Sequence, residues 1–129
     1  MNIPASIADQ VESRIKRCMK ESGIYVRRLQ IKYDITSANT YGEARYGWMN
    51  LIRINPVYLL AHGDEFIKHI VTHEYAHLAA FRKSGLNISP HGPEWKAVMR
   101  SMGVEPQRCY TFAVPAGYTV GPRSRLIKV

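Results

Sequence analysis

The stretch "HEYAH", residues 73–77, decides how the rest of the sequence is read. On a helix turning ~100° per residue, His77 returns to within ~40° of His73 and lies one turn, ~6 Å, along the axis. Both imidazoles can then converge on one ion. Glu74 projects ~100° round from His73, beside such an ion rather than on it. That offset suits a general base acting on an activated water, because a carboxylate bound directly would fill the open coordination position. The same five letters also fit an ordinary buried helix that happens to carry two histidines, so the surroundings must choose.

The flanks describe a central helix, expected over about 64–83, which Asp64 can cap and Gly85 can end. Phe66, Ile67, Ile70, Val71, Leu78 and Phe81 cover one broad side, and Ala76, Ala79 and Ala80 admit close packing near the other. A catalytic zinc needs a third protein ligand and an open fourth position. An extended zinc-peptidase pattern places a third histidine six residues after His77, where this chain has Lys83. Glu94 and Glu105 are available as the distant carboxylate that another class uses. The better candidate is His91, in "SPHGPEW". It stands just before Gly92 and a helix starting at Pro93, where a tight turn can hold an imidazole rigidly, and neutral imidazole suits zinc. Without the pentapeptide, His91 would read as a loop or capping residue.

Outward from this centre, residues 6–22 form an amphipathic helix with Ile7, Val11, Ile15, Cys18 and Met19 on one stripe, a cap at Ser6 and a stop at Gly23. "RLQIKYDI" (28–35) alternates as a half-buried strand, and residues 41–55 hold two more strands around Gly47. Gly42 and Gly47 suggest a bulge or a close backbone approach. A short turn at 56–61 precedes the central helix, and a last helix runs from Pro93 to Met102 with Trp95, Val98 and Met99 buried. Beyond Gly103 periodicity is lost. Helix, strands and then helices, with no repeat or linker, make one α+β domain.

Of the remaining residues, His69 can hydrogen-bond near the site or stay partly exposed, His62 reads as a loop residue, and Glu94 can orient His91. Tyr75 reads as core, and Trp48 and Trp95 as packing anchors. A tyrosine could donate to a developing oxyanion, but nothing selects one of the eight.

The composition, 46% hydrophobic and 22% charged over 129 residues, is that of one globular domain rather than a disordered chain. The N-terminus lacks the apolar segment of a signal peptide, and no apolar run approaches a membrane span. Two cysteines, Cys18 and Cys109, are too few for a disulfide framework or a four-cysteine zinc site, so a non-secreted, cytoplasmic and reduced setting is expected. A net charge of +8 favours polyanions. The basic first helix (Arg14, Lys16, Arg17, Lys20) and the tail (Arg123, Arg125, Lys128) are the expected sites of weak, non-specific nucleic-acid contact.

"HEYAHLAAFRKSGLNISPHGPEW" resembles the core of SprT-like zinc metalloproteases, with HExxH followed by a His-Gly pair opening a helix. The resemblance extends upstream to "GEARYGWMNLIRINPVYLL" and downstream to "MGVEPQRCYTF", about residues 6–112 in all. It implies His73, His77 and His91 as ligands of one catalytic Zn2+, Glu74 as general base, and a compact zincin-like domain. That domain has a small three-stranded sheet, about three main helices, and HExxH on the central one. Relatives of this type, Spartan and Wss1-like proteases, degrade proteins crosslinked to DNA. Many bacterial members continue into a four-cysteine zinc ribbon, whereas Cys109 stands alone here. The expectation is therefore a single domain over 1–129 without that ribbon, with a basic tail at about 113–129.

The expected activity is zinc-dependent endopeptidase action on a protein or peptide, possible substrates including DNA-bound or DNA-crosslinked proteins. The substrate would lie extended against a sheet edge near residues 41–54. Two alternatives stand beside it: a non-enzymatic nucleic-acid-binding module with a structural zinc, and a metal hydrolase with a non-protein substrate.

Overall fold

A computed structural model describes residues 2–119. Helix α1 (Ala5–Ser22) buries Val11, Ile15 and Cys18 along the stripe seen in the sequence. It stops at Gly23, whose left-handed φ of 69° lets its N–H reach the Met19 carbonyl. Its start differs from expectation. The Pro4 carbonyl accepts from the N–H groups of Ile7 and Ala8, so Ser6 lies inside the first turn and makes no side-chain cap.

Three short strands follow: β1 (Leu29–Lys32), β2 (Gly42–Arg45) and β3 (Asn50–Ile54). They form a mixed sheet in the order β1–β3–β2. The central β3 runs parallel to β1, with Ile52 opposite Ile31, and antiparallel to β2, with Ile52 opposite Ala44. Its burial alternates, with Asn50, Ile52 and Ile54 turned into the core. Arg53, between them, pairs with Asp34 and Glu43 at 2.8 Å each, linking the exit of β1 to β2 across the sheet. Partly solvated pairs of this kind contribute at most ~1 kcal/mol each. The apolar face of β3 does more.

From Pro56 to Ser84 the chain is helical apart from a kink at Gly63: α2 (Pro56–Phe66), a π-helical turn (Ile67–Val71) and α3 (Thr72–Ser84). The short turn expected at 56–61 is a helical segment, and the central helix expected from about 64 follows the kink at Gly63. The reason for the helical segment is Asn55, which is fully buried. Its Oδ1 accepts from the N–H groups of Val57 and Tyr58, capping α2. Its Nδ2 donates to the carbonyls of Ser37 and Thr40 and to the Tyr118 hydroxyl, at 2.9–3.0 Å. One side chain thus joins a helix start, the β1–β2 connection and the segment after the last helix. Gly63, with φ 53° and ψ −123°, takes the one non-helical conformation inside α2. Every residue from Thr72 to Ala80 is buried, so α3 is enclosed over that length, and only its last turn reaches solvent.

Helix α4 (Pro93–Ser101) packs Trp95, Val98 and Met99 onto α3. The aperiodic residues past Gly103 are nevertheless ordered by packing. Tyr110 is buried, the Phe112 N–H donates to the Tyr41 hydroxyl at 2.7 Å, and the Tyr118 hydroxyl donates to the Thr36 carbonyl. Packed structure therefore runs past 113, where the basic tail was expected to begin; Arg123, Arg125 and Lys128 lie outside the described residues. The two tryptophans part company: Trp95 is wholly buried, as expected, but Trp48 is 75% exposed in the β2–β3 turn. The α+β class, the three-stranded sheet and three main helical bodies (α1, the run 56–84, and α4) match the sequence reading, with HExxH on the central one. Among the described residues no helix is long and apolar enough to cross a membrane.

Asn55→Ala should destabilise the fold by roughly 2–4 kcal/mol, combining a lost cap with buried carbonyls left without donors. Urea unfolding of the variant measures it. A loss within ~0.5 kcal/mol, as for an ordinary surface substitution, would refute the joining role.

Candidate metal centre

His73 and His77 project from one face of α3, and His91 reaches them from the turn that precedes α4. Their ligand atoms all lie within 4.8 Å of one another. The Nε2 of His73 is 3.1 Å from that of His77 and 3.2 Å from that of His91. That turn is fixed by its own bonds: the Gly92 N–H donates to the Ser89 carbonyl at 3.0 Å, and α4 begins at Pro93. Behind the cluster stands Trp95, its ring centroid 4.8 Å from those of His73 and His91 and 5.6 Å from that of His77. Its indole N–H points to the His73 carbonyl at 3.4 Å. One tryptophan thus seats all three imidazoles, a role the sequence reading did not give it.

Burial makes these histidines poor proton acceptors. Desolvation first, then the neighbouring imidazoles, bring His73 down to about 2. Desolvation and His91 bring His77 down to about 3. His91 is lowered too, by burial and then by Arg108. All three rings are therefore neutral at ordinary pH and keep a lone pair for a cation. Lone pairs converging on one point repel one another unless a shared cation or proton lies between them. The donor set thus fits a divalent metal, and no further His, Cys, Asp or Glu among the described residues joins the cluster. Glu94 and Glu105, the alternative ligands, lie outside it. The Pro90 carbonyl sits beside His77 and orients its ring. The Gln107 main chain is close to both His73 and Tyr110, but His73 Nδ1 and the Tyr110 hydroxyl make no hydrogen bond of ordinary geometry.

Glu74 is 1% exposed, and its Oε2 has no hydrogen-bond partner among the described residues. Burial, and then the charge of Glu43, raises its proton affinity well above that of a free glutamate. Gly42 makes this position possible. A Cβ on residue 42 would lie 3.0 Å from Ile70 Cγ2 and 3.1 Å from Glu74 Oε2. The close approach suggested by the sequence is thus a strand passing over a buried carboxylate. Glu74, His77 and His91 open onto a groove of about 520 Å³ whose other walls are β2 (Gly42–Ala44), Phe81 and Pro90. The outer edge of β2 is unpaired among the described strands.

Residues 10–114 match the SprT-like family. The chain belongs to the SprT-like family. Protein SprT of Pseudomonas syringae pv. syringae strain B728a is 34% identical over 110 residues, which is 82% of this chain and 66% of that protein. Protein SprT of Pseudomonas aeruginosa strain LESB58 is 44% identical over 109 residues, with the same coverage of 82% and 66%. The match thus spans just under two thirds of these curated relatives. No solved structure matches the chain significantly.

The other histidines of this SprT-like domain lie apart from the cluster. His69 pairs with Glu65 at 3.3 Å and packs its ring on Tyr110, and His62 is helical, not in a loop, with Nε2 2.7 Å from the Ala113 carbonyl. Tyr110 is the tyrosine whose ring lies against His73, at 5.6 Å. It comes from the aperiodic segment, where no sequence pattern could have singled it out. Along α1 the expected basic face is mixed: Arg17 pairs with Glu21, and the neighbouring concavity brings Asp9, Asp64 and Glu65 together with Arg14 and Lys68.

Zinc titration followed by dialysis and elemental analysis separates the histidines. His91→Ala should retain far less zinc than the wild type, whereas His69→Ala should retain as much. Equal retention by His91→Ala would remove His91 from the centre.

Proposed function

We propose that this SprT-like domain is a zinc-dependent endopeptidase that cleaves an extended segment of a protein or peptide. One observation carries the reading: a three-imidazole cluster opens through His77 and His91 onto a groove bordered by a strand edge unpaired among the described strands, with a buried carboxylate beside the cluster. Nitrogen donors suit several transition metals, and zinc is chosen on the family resemblance. A structural zinc is usually closed by four protein ligands, which weighs against a non-enzymatic module, because no fourth donor of the usual kinds joins the cluster among the described residues.

His73, His77 and His91 would hold the ion. A zinc so held supplies Lewis-acid polarisation of a carbonyl and makes a neighbouring water more acidic. Glu74 moves the proton, taking it from the attacking water and handing it to the amine that leaves. Its burial favours this, since a carboxylate that binds protons more tightly is a better base near neutrality. The free edge of β2 can pair with an extended substrate backbone, while Phe81, Ala44 and Pro90 offer apolar contact to its side chains. The resemblance to crosslink proteases, together with a net charge of +8, extends the proposal to proteins bound or crosslinked to DNA.

Glu74→Gln should keep the fold and the zinc while lowering cleavage of an unfolded protein substrate by at least ~10²–10⁴-fold, the usual worth of a positioned general base. Gel-based proteolysis alongside metal analysis tests it. Wild-type cleavage by this variant would sink the base assignment, and no cleavage by zinc-loaded wild type would sink the protease reading.

A further inference from the structure

Trp48 is a large apolar side chain left 75% exposed, yet its surroundings are built rather than loose. Asn50, itself buried, donates its Nδ2 to the Arg27 carbonyl at 2.7 Å and accepts from the Gly47 N–H at 3.2 Å. Its own N–H bonds the Arg28 carbonyl at 3.1 Å. The β2–β3 turn is thereby tied to the chain entering β1. Arg28 is the one non-glycine residue with positive φ (51°) among the described residues, a conformation that costs energy outside glycine. Its guanidinium carbon lies 4.6 Å from the centre of the Trp48 ring. One arginine is thus stacked on an indole that otherwise faces solvent.

Charge around this indole has a single sign. Trp48, Arg27, Arg28 and Arg82 line a concavity of about 120 Å³. A second, of about 470 Å³, shares Arg27 and Arg82 and adds Lys83 and the exposed Tyr25. No carboxylate lines either. None of these four cations makes an ion pair among the described residues. The α1 concavity, in contrast, contains Asp9, Asp64 and Glu65.

We propose that the face formed by Trp48, Tyr25, Arg27, Arg28, Arg82 and Lys83 binds single-stranded nucleic acid, with a base stacked on Trp48 and phosphates held by the surrounding cations. Exposed aromatic faces interleaved with unneutralised cations meet the two needs of an unpaired strand: a stacking surface for bases and positive charge along its backbone. A duplex keeps its base faces stacked inside and cannot use the indole. An acidic peptide would use the charges and leave the exposed rings idle. The proposal sharpens the nucleic-acid part of the reading above but uses no residue of the metal centre, so the two fail separately. The surface also adjoins the groove, because Tyr46 of the same turn packs on Phe81, with ring centroids 5.9 Å apart, and Phe81 lines the groove. A protein attached to the bound strand would be held close to Glu74.

Fluorescence anisotropy with a short labelled oligothymidylate, the same chain as a duplex, and poly-glutamate tests this on the full chain at low and moderate salt, with and without zinc. Wild type should bind the single strand most tightly in both metal states. Trp48→Ala should weaken binding roughly ten-fold or more, the scale of one lost stacked base, while Trp48→Phe keeps most of the affinity. Arg82→Gln should reduce the slope of log affinity against log salt by ~0.7, one single-strand phosphate contact. Wild-type affinity in Trp48→Ala, tighter binding of duplex or of poly-glutamate, or no binding at low salt would each overturn the proposal. Circular dichroism should show both Trp48 variants folded, as expected for an exposed residue.

Discussion

The convergence of three imidazoles on one point constrains the whole molecule, because it requires the stretch of helix bearing two histidines and a glutamate to be buried. Charged imidazoles could not tolerate that environment, and burial itself keeps them neutral. Space for the enclosing layers comes from Ala76, Ala79 and Ala80 on α3, all buried, and from Gly42 where β2 crosses Glu74. The fourth helix then has to start within reach, and it does so at Gly92–Pro93, immediately after the third imidazole. Trp95, less than one turn into that helix, seats all three rings at once.

Just before this enclosed segment the helix widens into a π-helical turn, Ile67–Val71. Such turns are uncommon and often accompany functional sites, since one wide turn changes the direction in which the following side chains point. Here it sits between the Asn55-capped α2, whose position is set by the sheet and the β1–β2 connection, and α3, whose position is set by the imidazoles. The wide turn lets both ends of one helical run satisfy different neighbours.

The parts of this arrangement legible in the sequence are those whose signal is local. The spacing of His73, Glu74 and His77, the His91–Gly92–Pro93 helix start and the stripe of α1 are periodic or positional patterns. Gly42 was legible only in kind, since its absent side chain hinted at close approach without saying to what. What escaped depends on residues distant in sequence. Asn55 caps α2, but its strength as a cap comes from carbonyls at Ser37 and Thr40 and a hydroxyl at Tyr118. That network is why the short turn expected at 56–61 is a capped helical segment ahead of the kink at Gly63. Tyr110 and Phe112 belong to a segment with no regular backbone, held by packing and by bonds between its main chain and distant side chains, and periodicity is silent there. The fate of the two tryptophans could not be told apart either. Trp95 lies on an amphipathic helix and packs, whereas Trp48 lies in a tight turn whose geometry is set by Asn50 reaching back to Arg27.

That last difference bears on how a domain with +8 net charge can discriminate among polyanions. Charge spread evenly over a surface attracts any polyanion equally and is screened by salt. Ion pairing within the fold removes a small part of it: Arg17, Arg45 and Arg53 are paired with Glu21, Glu43 and Asp34. Four of the cations that make no ion pair among the described residues, Arg27, Arg28, Arg82 and Lys83, meet beside an exposed indole with no carboxylate among them. Arg82 and Lys83 stand at the C-terminal end of α3, the helix that carries His73, Glu74 and His77 nearer its start. A cationic end also complements the negative pole of the helix dipole, so these residues suit the helix as well as any anionic partner. One element thereby presents the imidazole cluster and a positive surface about two turns apart, and their separation is set by α-helical geometry rather than by a flexible linker.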